Sequence, residues 1–493
     1  MSNQLDFQNL QLGEDSAEQD IKAGLLDYFV ENTSYSNLLR GNKYIVVGNR
    51  GAGKSAIFKY LADKESKAGS VVLELTPEEY SYDLLSSILK KESQGNWGKQ
   101  SSYSISWQYL IHALIFKELV SRCKGLVTGP NKAIYDFVRD NFKEKDISPL
   151  GIFVSYLKRI EGAKFGEYEI GIKKKDIYKL YELQEIRELQ PYFMKVLDKV
   201  RVRVYIDELD KGWDNSEDAQ YFLAGLLQAV QKLNSIHKNL KVYVSIRQEL
   251  FDNIPQIYED AQKIRGNIET IRWDENGLLE FITMRMKHSF PFLTNEDQHK
   301  VWACFFQEIL EYRQTKSFNY MIDRTQLRPR EFLQFTKACI QQVLPNSKLV
   351  TYTDISKAQL QYSESKTRDL ASEYRFQYPG LLDIFSAFRG MSYSFEKDKL
   401  ELFLLSLCEG EITLKSANWV RAIEYFELKK ILWEIGFIKA WIVGGLKSGR
   451  KSGSSYLGHY ELSSINIDAI SRFQIHPAFW AYLNLKEKKS AGS

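Results

Sequence analysis

Residues 43–62 constrain the chain more than any other stretch. Lys43-Tyr44-Ile45-Val46-Val47 is a short β-branched and aromatic run that reads as a buried parallel strand. Gly48-Asn49-Arg50-Gly51-Ala52-Gly53-Lys54-Ser55 follows and fits the pattern G-x-x-x-x-G-K-[ST] at every required position. Ala56-Ile57-Phe58-Lys59-Tyr60-Leu61-Ala62 then supplies helix formers with apolar residues at helical spacing. Strand, glycine loop and helix in succession turn a pattern match into a physical expectation. Glycines let the backbone wrap closely, so the N–H groups of residues 48–56 point inward at a helix start, where anions are favoured. Lys54 is then expected to reach terminal phosphates, and the Ser55 hydroxyl to ligate Mg²⁺. A chance GKS in a turn would not carry these flanks.

The bulk numbers exclude more than they select. At 493 residues the chain is too long for one ordinary core. The 67 basic and 63 acidic residues leave a net charge of +4, so any nucleic-acid surface has to be local. Cys123, Cys304, Cys339 and Cys408 stand far apart without a CxxC or a neighbouring His, and read as core thiols. No apolar run approaches the roughly 20 residues that span a bilayer. The N-terminus has neither a basic flank nor an apolar signal segment. The expectation is a cytoplasmic protein with no membrane contact.

Along the chain, Ile21, Leu25, Leu26 and Phe29 share a helical face within residues 1–40, an N-terminal strap expected to pack on the nucleotide domain. Residues 41–274 form the core. Its second strand is Val71–Leu75, stopped by Thr76-Pro77. A largely helical insertion over about 80–200 carries helical patterns at Tyr82–Lys91, Ile105–Arg122, Ala133–Phe142 and Tyr178–Val200. Inside it, residues 165–172 alternate like a short hairpin. Lys173-Lys174-Lys175 reads either as a backbone contact for nucleic acid or as a solvated turn.

Val202-Arg203-Val204-Tyr205-Ile206-Asp207-Glu208 is an apolar strand ending in two carboxylates, the Walker B pattern. Weak alone, it is strong downstream of a complete phosphate loop. Asp207 is expected at the sheet edge beside the loop, holding Mg²⁺, and Glu208 to polarise the attacking water. Leu240–Arg247 is a further strand whose Ser245 or Arg247 either senses the γ-phosphate or anchors a loop. Ile268–Trp273 is the last core strand.

Residues 275–345 read as a helical lid, in which Arg328-Pro329-Arg330 opens a helix and Pro329 suits a first turn. A helical linker spans 346–390. Residues 391–487 form a separate unit, and 488–493 a tail. In this unit two helices precede strand Gly436–Val443, a basic Gly/Ser tip, and strand Tyr456–Leu462, which makes a winged-helix candidate. Lys447, Arg450 and Lys451 in the tip are candidate DNA or RNA backbone contacts. A wing used for protein contacts fits the same residues.

Taken together, these motifs resemble bacterial P-loop ATPases of the AAA+/STAND type that carry a C-terminal winged helix. The likeness includes a group whose Walker B reads DELD followed by GW, here Asp207-Glu208-Leu209-Asp210-Lys211-Gly212-Trp213. Supporting stretches are residues 51–58, Arg328-Pro329-Arg330-Glu331-Phe332 and Ile475-His476-Pro477-Ala478-Phe479. The resemblance implies an α/β P-loop NTPase of the ASCE/AAA+ kind. Its parallel sheet would be flanked by helices and followed by a helical lid and a winged-helix domain. It implies ATP and Mg²⁺ as ligands and a sensor role for Arg247 from Ser245-Ile246-Arg247. It implies a second sensor at Arg330, with Arg328 as competitor, and offers Arg265 by position alone as a trans arginine finger. The implied function is a hydrolytic switch or motor using Lys54, Glu208, Arg247 and Arg330. Such a switch would self-associate and control a separate effector, in bacterial anti-phage defence. The competing expectation is a nucleic-acid adaptor in which ATP is a structural ligand.

Overall fold

The computed structural model describes residues 6–76, 99–123, 127–142, 148–169, 183–209, 213, 216–252, 254, 264–345, 347–445 and 453–487. Two compact units emerge. One comprises Met1–Val30, Arg50–Ala52 and Arg272–Ser493, and the other Glu31–Asn49 and Gly53–Ile271.

The first unit begins with α1 (Ala17–Ala23), capped by the Ser16 side chain accepting from the Gln19 N–H. The helix is shorter than the apolar spacing suggested. Gly24 at φ 113° ends it, since that backbone conformation suits glycine. Leu25 and Tyr28 are buried from the turn that follows rather than from a helical face.

The second unit holds α2 (Thr33–Leu39), β1 (Ile45–Gly48), α3 (Lys54–Lys67) and β2 (Val71–Leu75). The helices α4 (Lys99–Ser121), α5 (Pro130–Asn141), α6 (Pro149–Glu169) and α7 (Gln184–Leu197) follow. Then come β3 (Val202–Ile206), α8 (Glu217–Asn234), β4 (Leu240–Arg247), the single turn α9 (Gln248–Phe251) and β5 (Ile268–Thr270). The five strands form one parallel sheet in the order β2-β3-β4-β1-β5, flanked by helices. Strand β4 therefore separates the loop-bearing β1 from β3, the order of an ASCE-type P-loop fold. Phe58 on α3 packs against Tyr205 and Tyr243, which stack across the β3–β4 pair at 5.2 Å.

Two sequence expectations fail in this unit. Residues 165–169 continue helix α6 rather than forming a hairpin, while 170–175 lie outside the described residues. Ile152, Phe153, Tyr156, Leu157 and Ile160 are buried at helical spacing, and that period outweighs the short alternation. Strand β5 stops at Thr270 instead of running to Trp273. Where α4 crosses α8, a Cβ on Gly225 would lie 2.7 Å from Tyr103 Cβ and 2.9 Å from Ser104 N. Tyr103, Trp107, Phe153 and Phe222 fill the space around that crossing.

Back in the first unit, α10 (Glu275–Ser289), α11 (Gln298–Phe305), α12 (Ser317–Ile322), α13 (Pro329–Ile340) and α14 (Tyr352–Glu373) close around one apolar cluster. A reciprocal cap starts α14: the Thr351 side chain accepts from the Asp354 N–H, and the Asp354 carboxylate accepts from the Thr351 N–H at 2.9 Å. A second cluster gathers α15 (Leu381–Ala387), β6 (Ser394–Glu396), α16 (Lys397–Cys408) and α17 (Tyr425–Glu434). With these pack β7 (Ile438–Gly445), β8 (Gly453–Leu457) and β9 (Arg472–Ile475). These strands form an antiparallel sheet in the order β6-β9-β7-β8. Strand β8 ends at Leu457, because Gly458–Leu462 turns, with the Gly458 N–H donating to Glu461 at 2.8 Å. The tip residues Lys447, Arg450 and Lys451 lie outside the described residues. No helix among the described residues is long and apolar enough to cross a membrane.

Candidate functional site

The second unit brings the phosphate loop and the Walker B carboxylates to the same edge of the sheet. Parallel pairing sets Gly48 opposite Arg247 and Val46 opposite Ser245, while Ile206 pairs with Val244. Gly48, Asp207, Ser245 and Arg247 therefore emerge together at the carboxyl ends of three neighbouring strands, where ligands of open α/β sheets bind.

The loop backbone turns through Gly51 at φ 78° and Gly53 at φ 96°, conformations that favour glycine. Gly53 is the N-cap of α3 and makes no side-chain cap bond, so the loop leads directly into the helix N-terminus, where anions are favoured. A Cβ built on Gly53 would meet nothing within 4 Å. The cradle is open. Lys54 Nζ donates to the carbonyls of Gly48 at 2.7 Å and Asn49 at 3.1 Å, which holds the ammonium across the loop. Ser55 and Ala56 follow in the first turn of α3.

Asp207 is held by donors. Ser245, buried in β4, donates its hydroxyl to Asp207 Oδ1, and the Glu208 N–H donates to the same oxygen at 2.8 Å. The Asp207 N–H is fixed to Leu75 O at 3.0 Å. Glu208 sits at φ 57°, an uncommon conformation for a glutamate that costs on the order of 1 kcal/mol and clusters at functional sites. Arg247 lies 3.6 Å from the buried Glu249. Arg265 is exposed and precedes β5, whereas the chain's own loop follows the carboxyl end of β1.

Loop residues Arg50–Ala52 pack within the first unit. The Arg330 N–H lies 3.4 Å from Gly51 O, and a Cβ on Gly51 would come within 2.8 Å of Arg330 Cβ. Only glycine fits there. The Trp273 indole donates to Ala52 O at 2.8 Å, so a residue expected to end a strand instead braces the loop. Arg330 Nε donates to Asp15 O at 2.9 Å, and Asp15 also accepts from Gln334 and Lys337.

Arg328, the competitor for the sensor position, also reaches the phosphate loop, with its Nη1 3.5 Å from Arg50 O. It is buried and pairs with Glu373 at 2.8 Å and Glu331 at 3.4 Å. Burial works against its charge, but the carboxylates of Glu373 and Glu331 more than compensate and raise its pKa. Lys366 completes this buried network by pairing with Glu331. Trp273 and Asp15 were residues that sequence reasoning misassigned or passed over, and the Ser245–Asp207 bond was not anticipated. Nothing in local pattern signals them, since Trp273 and Ala52 are separated by 221 positions and Asp15 and Lys337 by 322.

The donor chemistry fits a hydrated Mg²⁺ bound with a nucleotide. Ser55 offers a hydroxyl and Asp207 a carboxylate whose second oxygen accepts no hydrogen bond among the described residues. No cluster of three or more His, Cys, Asp or Glu side chains suited to a metal occurs among the described residues, and a phosphate-bound ion needs none.

The fold and the edge geometry thus define an α/β P-loop domain with a Walker-type site. A profile named FunZ-associated C-terminal helical domain matches residues 276–371. The chain is 23% identical over 492 residues to the "Putative transposon gamma-delta 80.3 kDa protein" of Escherichia coli (strain K12), spanning 97% of this chain and 68% of that protein. It is 29% identical over 132 residues to the Allergen Alt a 2 of Alternaria alternata, across 27% of this chain and 68% of that one. Among solved structures, the Aeropyrum pernix ORC2 protein (ADPNP-ADP complexes) overlays on 97% of this chain and 96% of its own. The TM-score is 0.34 at 10% identity, an overlay too loose to specify any residue.

Proposed function

We propose that the chain is a Mg²⁺-dependent ATPase working as a nucleotide-driven switch or motor that self-associates and controls a separate effector protein. The observation that carries this reading is the shared sheet edge. The carboxylate of Asp207, fixed by Ser245 and the Glu208 N–H, emerges one strand away from β4 and two from the phosphate loop. In this reading, loop amides and Lys54 bind the β- and γ-phosphates, and Ser55 and Asp207 hold the ion, which neutralises phosphate charge when bound. Glu208 orients the attacking water and accepts its proton. Arg247 and Arg330 respond to the γ-phosphate. The likeness to a protein named for a transposon is in keeping with a mobile-element or anti-phage setting.

Phosphate release from ATP tests the reading. Glu208→Gln is expected to lower turnover about 100-fold or more while nucleotide still binds, and Lys54→Ala to lose binding. Wild-type turnover in Glu208→Gln would remove Glu208 from the mechanism. Particle mass with and without a non-hydrolysable ATP analogue tests self-association.

The second reading, a nucleic-acid adaptor, is supported by the β7–β8 hairpin that follows α16 and α17 in the chain, in keeping with the winged-helix expectation, and by Lys447, Arg450 and Lys451 in the sequence between its strands. It requires affinity for DNA or RNA that weakens with salt and falls when those three side chains are neutralised.

A further inference from the structure

Arg324 has surroundings that the nucleotide site does not explain. It is only 7% exposed, yet it makes no ion pair among the described residues. Its Nη1 donates to Tyr320 O at 2.8 Å, while its buried Nε has no hydrogen-bond partner. A buried guanidinium without a carboxylate is costly, and one left partly unsatisfied is more so. Burial lowers the pKa of this group, and nearby Tyr320 and Asp323 only partly offset that effect.

The same arginine lines a cleft within the first unit, together with Tyr320, Asp323, Lys439, Tyr456 and Trp480. The guanidinium carbon lies 3.4 Å from the Tyr320 ring centre and 6.0 Å from that of Trp480. Lys439, also buried, is already neutralised by Glu461 at 3.0 Å. Arg324 is thus a buried cation of this cleft with no ion pair among the described residues, and its guanidinium lies against the Tyr320 ring and near that of Trp480. Asp323 adds an acceptor at the half-exposed rim.

We propose that this cleft is a second ligand site, distinct from the phosphate loop, that takes a nucleotide unit bearing one phosphate. Arg324, held over the buried Tyr320 ring, binds the phosphate, the rings of Trp480 and Tyr456 pack against the base, and Asp323 accepts from a base N–H. Aromatic faces accept any base, and every common base offers an N–H donor, through an amino group in adenine, guanine and cytosine and through N3–H in thymine and uracil. The nucleotide is either free or the unstacked end of a single strand. Both present the same ring, phosphate and N–H.

The test uses the full chain with its phosphate loop saturated by Mg–ADP, so that only a second site is read. AMP, GMP and CMP are titrated by equilibrium dialysis, and short single-stranded DNA and RNA in a parallel arm. Binding in either arm is expected to fall about tenfold or more in Arg324→Met, through loss of a charge-assisted hydrogen bond. It should fall likewise in Ser455→Glu, which sets a like charge against the phosphate at the cleft lining without touching the buried core. Mononucleotide binding identifies the free ligand, and binding by strands alone identifies a strand end. Absence of binding in both arms, or binding indifferent to both substitutions, overturns the proposal. Circular dichroism of both variants separates loss of binding from loss of fold.

Discussion

Arg324 and Arg328 occupy neighbouring turns of one short stretch, both more than nine-tenths buried, and their surroundings are opposite. Arg328 meets Glu373, a residue 45 positions away, with two hydrogen bonds from Nη1, and has Glu331 alongside. Arg324 meets a backbone carbonyl and aromatic rings. Burial disfavours both charges. For Arg328 the fold supplies two carboxylates, so its net cost is small while the network is intact. For Arg324 it supplies none at ion-pair distance, and nearby Asp323 and Tyr320 offset only part of the cost. A third solution appears at His112 in the other unit, which is buried and avoids charge altogether: its Nδ1 lies 2.7 Å from Gln108 O, and burial depresses its pKa to about 4.

These contrasts can be broken by measurement. The largest effect is expected at Arg328. Arg328→Met leaves Glu373 buried without its partner and should destabilise the first unit by about 3–5 kcal/mol, read from chemical denaturation. A loss below about 1 kcal/mol would mean that the ion pairs are not what holds α13 to α14.

The next effect is in pH. The folded His112 pKa lies below its unfolded value, so the unfolded chain binds the proton first as pH falls. The stability from neutral His112 is complete above about pH 6.5 and declines towards pH 4, by about 1.4 kcal/mol per pH unit. His112→Leu should flatten that part of the curve relative to wild type. An unchanged slope would show that the imidazole takes up its proton in the folded state.

The smallest effect, and the opposite in sign, belongs to Arg324. Arg324→Met replaces an incompletely compensated buried cation by an apolar chain of similar length. Unfolding without added nucleotide should shift by no more than about 1 kcal/mol, towards greater stability. A loss comparable to that of Arg328→Met would make the two arginines alike and erase the distinction.

Much of the nucleotide domain was legible because its strands are short runs of β-branched and aromatic residues with little else to be. Val71–Leu75, Val202–Ile206 and Leu240–Arg247 begin and end where the residue pattern changes. The phosphate loop was legible for a similar reason, since its glycines answer to local backbone geometry at Gly51 and Gly53. Helix α6 was missed because the alternation at its end was given more weight than the longer helical period at Ile152, Tyr156 and Ile160. The C-terminal sheet was half seen. Strands β6 and β9 span three and four residues, too short to carry a period of their own.

The sequence by itself determined that a strand, a glycine loop and a helix follow one another, and that a strand ending in Asp207-Glu208 lies downstream. Backbone propensity and side-chain period act over a few residues, so local order is enough to encode them. Tertiary structure alone decided that Ser245 spends its hydroxyl on Asp207, that Trp273 braces Ala52, and that Arg328 is paired while Arg324 is not. Those outcomes depend on ångström-scale distances between groups tens to hundreds of residues apart. The strength of a hydrogen bond or an ion pair changes steeply over that scale, and no local pattern records it.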